Sequence, residues 1–127
     1  MFSHVMIGSN DVQASRKFYD ATFAVLGVDP AGYNPEKDQA YYASPTGMFA
    51  VTRPINGNPA TAANGGTIAF SCESSEQVDK WHAAGIANGG TSCENPPGMR
   101  ETSGMNLYLA YLRDPAGNKL CALHRPA

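Results

Sequence analysis

The chain of 127 residues has the size of one domain, and nine basic against eleven acidic side chains give a net charge of -2. This balance offers no electrostatic attraction to nucleic acid or to anionic membranes, so neither is expected as a partner. No apolar run is long enough to span a membrane, and the N-terminal residues lack the pattern of a signal peptide. The three cysteines form no CxxC pair, which predicts reduced thiols and a cytoplasmic location; they are Cys72, Cys93 and Cys121.

The first half of the chain predicts a strand, a helix and then more strands. A short apolar strand begins at His4, and Asn10 or Asp11 can cap the following helix because a short acceptor side chain satisfies free N–H groups at a helix start. Apolar residues at near-helical spacing continue to Gly27, which is placed to end the helix. The remaining predictions are an irregular edge at 29–37, strands at 40–43 and 49–52, and a turn at 44–47.

The same order begins again after a segment at 55–66 that is rich in Asn, Gly, Pro and Ala. A strand starts at Thr67, and Ser74 or Ser75 can cap a second helix. Residues 93–105 are predicted as a loop. The remaining predictions are a helical apolar stripe of Val78, Trp81 and Ile86, strands at 107–112 and 119–123, and a turn at 114–118.

The two halves are similar to each other. A shift of 63 residues superposes the first strand and the helix, and a shift of 70 superposes the later turn and the last strand. The alternative is chance similarity between two short strand–helix units. The matched pairs include His4 with Thr67, Phe18 with Trp81, Phe23 with Ile86, Gly47 with Gly117, and Val51 with Cys121.

We therefore predict an α+β fold of two βαβββ modules within a single domain. The modules span residues 1–57 and 65–127, with a linker at 58–64. We expect four apolar side chains of the two helices to be buried against the sheets, namely Phe18, Phe23, Trp81 and Ile86.

Two segments resemble the vicinal oxygen chelate superfamily, which includes glyoxalase I, extradiol dioxygenases, fosfomycin-resistance enzymes and bleomycin-resistance proteins. One is Tyr111 to Leu120, YLRDPAGNKL, similar to the family's turn into its last strand. The other is His4-Val5 followed by Asn10-Asp11 and a helix with Phe18-Tyr19. The resemblance implies curved mixed-sheet half-barrels with both helices outside. It does not identify the reaction, because a fold hosts many functions.

The resemblance also implies four inward positions that can hold one divalent ion. Carried over to this sequence they are His4, Val51, Thr67 and Cys121. Only His4 is a usual ligand, since valine cannot coordinate, the threonine hydroxyl is neutral, and Cys121 stands where the family has a glutamate. Two ligands fall short of the three protein ligands that catalytic zinc takes. We therefore predict a degenerate site without a metal cofactor.

The candidate ligand-binding residues are His4, Thr67, Tyr108, Arg100 and Cys121. Tyrosine gives a flat apolar wall with a polar tip, and Arg100 can bind a carboxylate or phosphate. Their ordinary alternatives are sheet packing for the tyrosine, a solvated side chain for Arg100 and a small buried apolar group for Cys121. Alternation leaves open which residue of the pairs Tyr41/Tyr42 and Tyr108/Tyr111 faces the cavity.

Three functions are compatible with these features. The first is metal-free binding of a small organic molecule, and the second is a metal-dependent lyase or dioxygenase that uses His4 and Cys121. The third is a non-catalytic interaction module. In each case we expect a homodimer, because half-barrels leave open sheet edges that pairing removes.

Overall fold

The computed structural model describes residues 1–126, which form two α-helices and two mixed β-sheets that are not closed into a barrel. Each half of the chain contributes one sheet and one helix. The elements are β1 (His4–Gly8), α1 (Val12–Val25), β2 (Gly32–Asn34), β3 (Gln39–Ser44), β4 (Gly47–Thr52), β5 (Ile68–Ser71), α2 (Ser75–Ala87), β6 (Thr91–Ser92), β7 (Gly98–Thr102), β8 (Met105–Arg113) and β9 (Lys119–His124).

The two sheets share one topology. The first has the order β1-β4-β3-β2, with β1 parallel to β4 and the other pairs antiparallel. In the second, β5 runs parallel to β9, β9 is antiparallel to β8, and both β6 and β7 pair with β8. The predicted α+β fold of two βαβββ modules is confirmed.

Side-chain caps begin both helices where the sequence predicts them. The Asp11 carboxylate accepts the backbone N–H of Ala14 at 3.0 Å, and the Ser74 hydroxyl accepts that of Gln77 at 3.1 Å. Gly27, immediately after the last turn of α1, has a φ of +79°, a conformation that glycine adopts without steric cost. These local signals fix the lengths of the helices that cover the sheets.

Residues 98–102 form a strand, so the prediction of a loop over 93–105 is wrong for this part. β7 is antiparallel to β8, and the two are joined by Ser103 and Gly104, both at positive φ. That two-residue turn has the backbone geometry preferred in tight hairpins. The sequence did not indicate this strand because its residues include glycine and glutamate, which are weak strand formers.

Both helices pack against the same side of the two sheets, which we call the helix face; the opposite side is the open face. Phe18, Phe23 and Trp81 are buried on the helix face as predicted. Ile86 is 46% exposed, so its predicted burial is wrong. Gly85 occupies the buried position instead, and a Cβ there would clash with Leu112.

The segment between the modules is held to the start of the first helix. The Asn10 side chain accepts the backbone N–H of Ala60 at 2.6 Å and donates to the Ala60 carbonyl at 3.2 Å. A further contact crosses between modules, because the Asn118 side-chain amide donates to the Gly8 carbonyl at 3.1 Å. These bonds fix the path of the chain beside the carboxyl end of β1.

Candidate functional site

A cleft of about 790 Å³ lies between the first strands of the two modules. The start of β1 and the β3–β4 turn form one side, β5 forms the other, and the residues that end α1 close it. The cleft brings together His4 and Thr67, two of the predicted ligand-binding residues. Both residues are exposed.

Aromatic rings form the inner wall of this cleft. Phe23 meets Phe49 and Phe70 edge to face, with ring centroids 5.3 and 5.2 Å apart. Phe49 and Phe70 meet each other at 5.7 Å, so the three rings form one rigid apolar surface. Sequence analysis did not assign these three residues to a cavity. A signal was available, because all three lie on helix or strand faces next to the boundary between the modules.

Few charged groups reach the cleft. The titratable side chains that line the cleft are those of Asp29, His4 and Tyr42. Within residues 1–126, neither lysine nor arginine lines it. Burial and a 2.7 Å hydrogen bond to Asp20 raise the pKa of Tyr42, so its hydroxyl stays neutral and is already engaged as a donor.

The ring of His4 has one nitrogen engaged and one free for a ligand. The Ser3 hydroxyl oxygen lies 3.0 Å from Nδ1. When Nδ1–H donates to that oxygen, Nε2 carries the lone pair and can accept a hydrogen bond or bind a metal ion. His4 is therefore suited to fixing a donor group of a small molecule.

The placement of Val51 in the cavity is wrong by one residue. Val51 is fully buried on the helix face and pairs with Ile7. On the open face its neighbour Ala50 pairs with Met6, just as Cys121 pairs with Ala69 in the second module. Alanine has no donor atom either, so the shortage of metal ligands is unchanged.

Cys121 does not line the cleft that contains His4. It is 3% exposed and packs on the open face of the second sheet. Burial raises the pKa of the Cys121 thiol to about 11, which keeps it protonated at neutral pH. A protonated, packed thiol is a poor nucleophile. Its apolar neighbours there are Leu107, Leu109, Tyr111 and Leu123.

The structure resolves both tyrosine alternatives. Tyr42 lies on the helix face and lines the cleft, whereas Tyr41 is exposed on the open face. Tyr108 lies on the helix face, where its hydroxyl donates to Asp79 at 2.7 Å, and Tyr111 shares the open face with Cys121. The prediction that Tyr108 and Cys121 line one cavity is therefore wrong, because they lie on opposite faces of one sheet.

The Arg100 side chain forms hydrogen bonds with the loop that precedes its own strand. Its guanidinium donates to the carbonyls of Asn95 and Pro96 at 2.9 and 2.8 Å. Those bonds satisfy backbone acceptors that precede β7, and Arg100 is not among the residues of the cleft. Its predicted role toward a ligand therefore has no geometric support.

The family comparison agrees with the fold. A family model described as "Glyoxalase/Bleomycin resistance protein/Dioxygenase superfamily" matches residues 1–122. The chain belongs to this superfamily. None of the curated proteins compared with the chain matches it.

Solved structures of this superfamily superpose on the whole chain. A glyoxalase/bleomycin resistance protein from Albidiferax ferrireducens T118 is 58% identical, with a TM-score of 0.94 over 98% of this chain and 99% of that one. A glyoxalase-related enzyme from Fulvimarina pelagi is 19% identical, with a TM-score of 0.76 over 99% and 88%. A lactoylglutathione lyase from Agrobacterium tumefaciens is 20% identical, with a TM-score of 0.67 over 98% and 92%. The last two show the glyoxalase fold alone.

The donor set of this glyoxalase-superfamily chain does not fit a divalent metal centre. In the part of the chain that the structure describes, His, Cys, Asp and Glu side chains form no group of three that could hold a metal ion. His82 contacts the Ser92 hydroxyl at 3.1 Å, and Nδ1 of His124 contacts the Cys72 carbonyl at 3.1 Å, so neither joins His4.

Neither helix of residues 1–126 is long and apolar enough to cross a membrane.

Proposed function

We propose that this superfamily member binds a small organic molecule in the cleft between its two modules. The observation that carries the proposal is the cleft itself, whose volume of about 790 Å³ suits a ligand of ordinary drug or metabolite size. In this proposal His4 and Thr67 supply hydrogen bonds, and the aromatic wall supplies apolar contact. The four family positions contribute too few donors for a divalent metal cofactor, so none takes part.

The lining indicates the chemistry of the ligand. Phe23, Phe49 and Phe70 offer ring edges and faces that favour a flat aromatic molecule. Without a lysine or arginine among the described lining residues, an anionic group on the ligand would lose its hydration uncompensated. A neutral aromatic molecule with a hydroxyl or amine group fits best.

The experiment uses 2-naphthol as the probe and measures thermal unfolding together with ¹H–¹⁵N NMR spectra. We expect saturable stabilisation, since a ligand that binds only the folded state adds about 2.7 kcal/mol at 100 times its Kd. Thr67→Val and His4→Gln should each weaken binding several-fold. The matched control is Thr102→Val, an exposed threonine outside the cleft. Unshifted cleft resonances at saturating probe would contradict the proposal and favour a non-catalytic interaction module.

The alternative function, a metal-dependent lyase or dioxygenase, requires His4 and Cys121 around one ion. Those residues do not line a common cleft. We therefore prefer ligand binding over this alternative.

We also propose that the protein works as a homodimer in the cytoplasm. β1 and β2 form the two edges of the first sheet and are each paired on one side only. Pairing with a second copy would cover such edges. Sedimentation equilibrium at micromolar concentration should give twice the chain mass of 13.4 kDa, and a mass of one chain would contradict the dimer.

A further inference from the structure

Three side chains with soft or borderline metal-binding atoms meet on the open face of the first sheet. His4 and Met6 are two residues apart on β1 and therefore point to the same side. Met48 on β4 is the register partner of His4, so it shares that side as well. Neighbouring strands lie about 4.8 Å apart, and alternate residues of one strand about 6.6 Å apart. The three side chains thus start within reach of one point above the sheet.

These side chains border a shallow hollow of about 330 Å³, which shares only His4 and Met48 with the lining of the cleft. Met6 is 48% exposed and Met48 is 43% exposed, so both sulfur atoms can approach a solute. Methionine has three rotatable bonds, which lets two thioethers turn toward a common partner. The hollow is lined by His4, Met6, Gln39, Tyr41, Met48 and Ala50.

The side-chain amide of Gln39 in the hollow donates to a sulfur atom. The Gln39 amide nitrogen lies 3.9 Å from the Met6 sulfur. This contact holds the thioether on the open face. In the tautomer in which Nδ1–H of His4 donates to the Ser3 hydroxyl oxygen, the Nε2 lone pair is the nitrogen donor available to the same hollow.

The donor set decides which ion fits. Among the described residues, the lining of the hollow contains no carboxylate, so calcium, magnesium and manganese lack the charged oxygen ligands that hold them in protein sites. Thioether sulfur selects soft ions such as Cu(I), and imidazole also binds copper. A neutral donor set suits a monovalent ion better than a divalent one, because fewer charges remain uncompensated.

We propose that His4, Met6 and Met48 form a binding site for a soft monovalent metal ion, Cu⁺, with Ag⁺ as its redox-inert substitute. The site differs from the superfamily's divalent centre in its ion and in two of its ligands. Its argument does not depend on the proposed organic ligand, although His4 and Met48 also line the cleft.

The first experiment follows the five methionines individually. The protein is labelled at the methionine methyl carbons and titrated with Ag⁺ in a Cys93→Ser background, because Cys93 is the thiol that is not buried. We expect the Met6 and Met48 methyl signals to shift and to saturate at one ion per chain. Signals from Met99 and Met105, which are exposed on the second module, should stay in place. Parallel shifts of all exposed methionines would overturn the proposal.

The second experiment measures Cu⁺ affinity by anaerobic competition with bicinchoninate. In the same Cys93→Ser background, the Met6→Leu/Met48→Leu double variant should lose at least tenfold in affinity, whereas the matched Met99→Leu/Met105→Leu variant should keep it. His4→Gln tests the nitrogen ligand separately and covers the case in which the double variant fails to fold. If the folded Met6→Leu/Met48→Leu and His4→Gln variants bind Cu⁺ as tightly as the Cys93→Ser background, the proposal is overturned. Thr67→Val should weaken 2-naphthol binding without changing Cu⁺ affinity, so failures of the two proposals are distinguishable.

Discussion

The hydroxyl of Tyr19 on α1 donates a 2.6 Å hydrogen bond to Oδ2 of Asp114, in the turn between β8 and β9. The bond is buried and joins the two modules across 95 positions of sequence. Asp114 also accepts the backbone N–H groups of Ala116 and Asn118, each at 2.9 Å, and the Asn118 side-chain amide at 3.0 Å. This carboxylate is fully satisfied, which a buried charge requires.

Removing the Tyr19 hydroxyl should lower stability measurably. Tyr19→Phe leaves the Asp114 carboxylate with one partner fewer in a buried place, and such losses amount to about 1–3 kcal/mol. Urea unfolding measures the change. The matched control is Tyr108→Phe, which removes a tyrosine–aspartate bond to Asp79 at the protein surface and should cost less than about 1 kcal/mol. Equal losses of unfolding free energy in the two variants would show that the inter-module bond stabilises the protein no more than the surface bond does.

Truncation of two apolar residues of helix α2 should lower the stability of the protein by very different amounts. Trp81 is fully buried, so Trp81→Ala should cost about 3–5 kcal/mol. Ile86→Ala, at a 46% exposed position, should change stability by less than about 1 kcal/mol. Chemical denaturation of the two variants under one set of conditions tests the assignment of the helix face. A tolerated Trp81→Ala would refute it.

Close approach of the helices depends on Gly85. An added Cβ would clash with Leu112 and lie 3.1 Å from the ring of Phe18. Gly85→Ala should therefore destabilise the protein by about 1–3 kcal/mol, although alanine favours a helix intrinsically. A control at Ala83→Gly, on the exposed side of the same helix, should cost about 1 kcal/mol through propensity alone. Stabilisation by Gly85→Ala would mean that the helices can separate without loss.

Stability should fall on the alkaline side of pH 9, partly through Cys121. Burial raises the pKa of this thiol from 9.0 to about 11, so the folded state holds its proton more tightly than the unfolded state. Its contribution is fully present below pH 9 and is lost as the pH rises toward 11. Cys121→Ala should show a shallower decline than the wild type between these pH values in urea midpoints. Parallel declines would show that the thiol does not contribute.

The modules were predictable because several independent signals repeat. Helix caps, glycine stops and apolar strands recur in the same order, and each has a local cause that does not depend on the rest of the fold. The misplacement of Val51 shows where such alignment fails. Residues 45–46 join β3 to β4, whereas the longer turn 114–118 joins β8 to β9. Alignment of Gly47 with Gly117 therefore places β4 one residue out of register with β9, because Ala50 and not Val51 occupies the position of Cys121. A slip of one residue exchanges the two faces of a strand.

The site was less predictable than the fold, for a related reason. Pattern analysis ranks Ile86 above Gly85 because burial favours large apolar side chains. It cannot detect that two helices approach too closely for any side chain at that point. Likewise, the cleft depends on how the two modules are arranged, and no spacing within either module specifies that arrangement. The pairing of His4 with Met48 across β1 and β4 was likewise not predictable from local spacing, because these residues lie 44 positions apart.

The hydrogen bonds from Tyr19 to Asp114 and from Asn118 to Gly8 connect the modules without help from the peptide chain between them. Together with the contact of α1 and α2 at Gly85, they form an interface like that of two subunits. The covalent connection through 61–66 chiefly raises the local concentration of one half near the other. Two separately synthesised halves, divided in that segment, should consequently recognise each other and assemble.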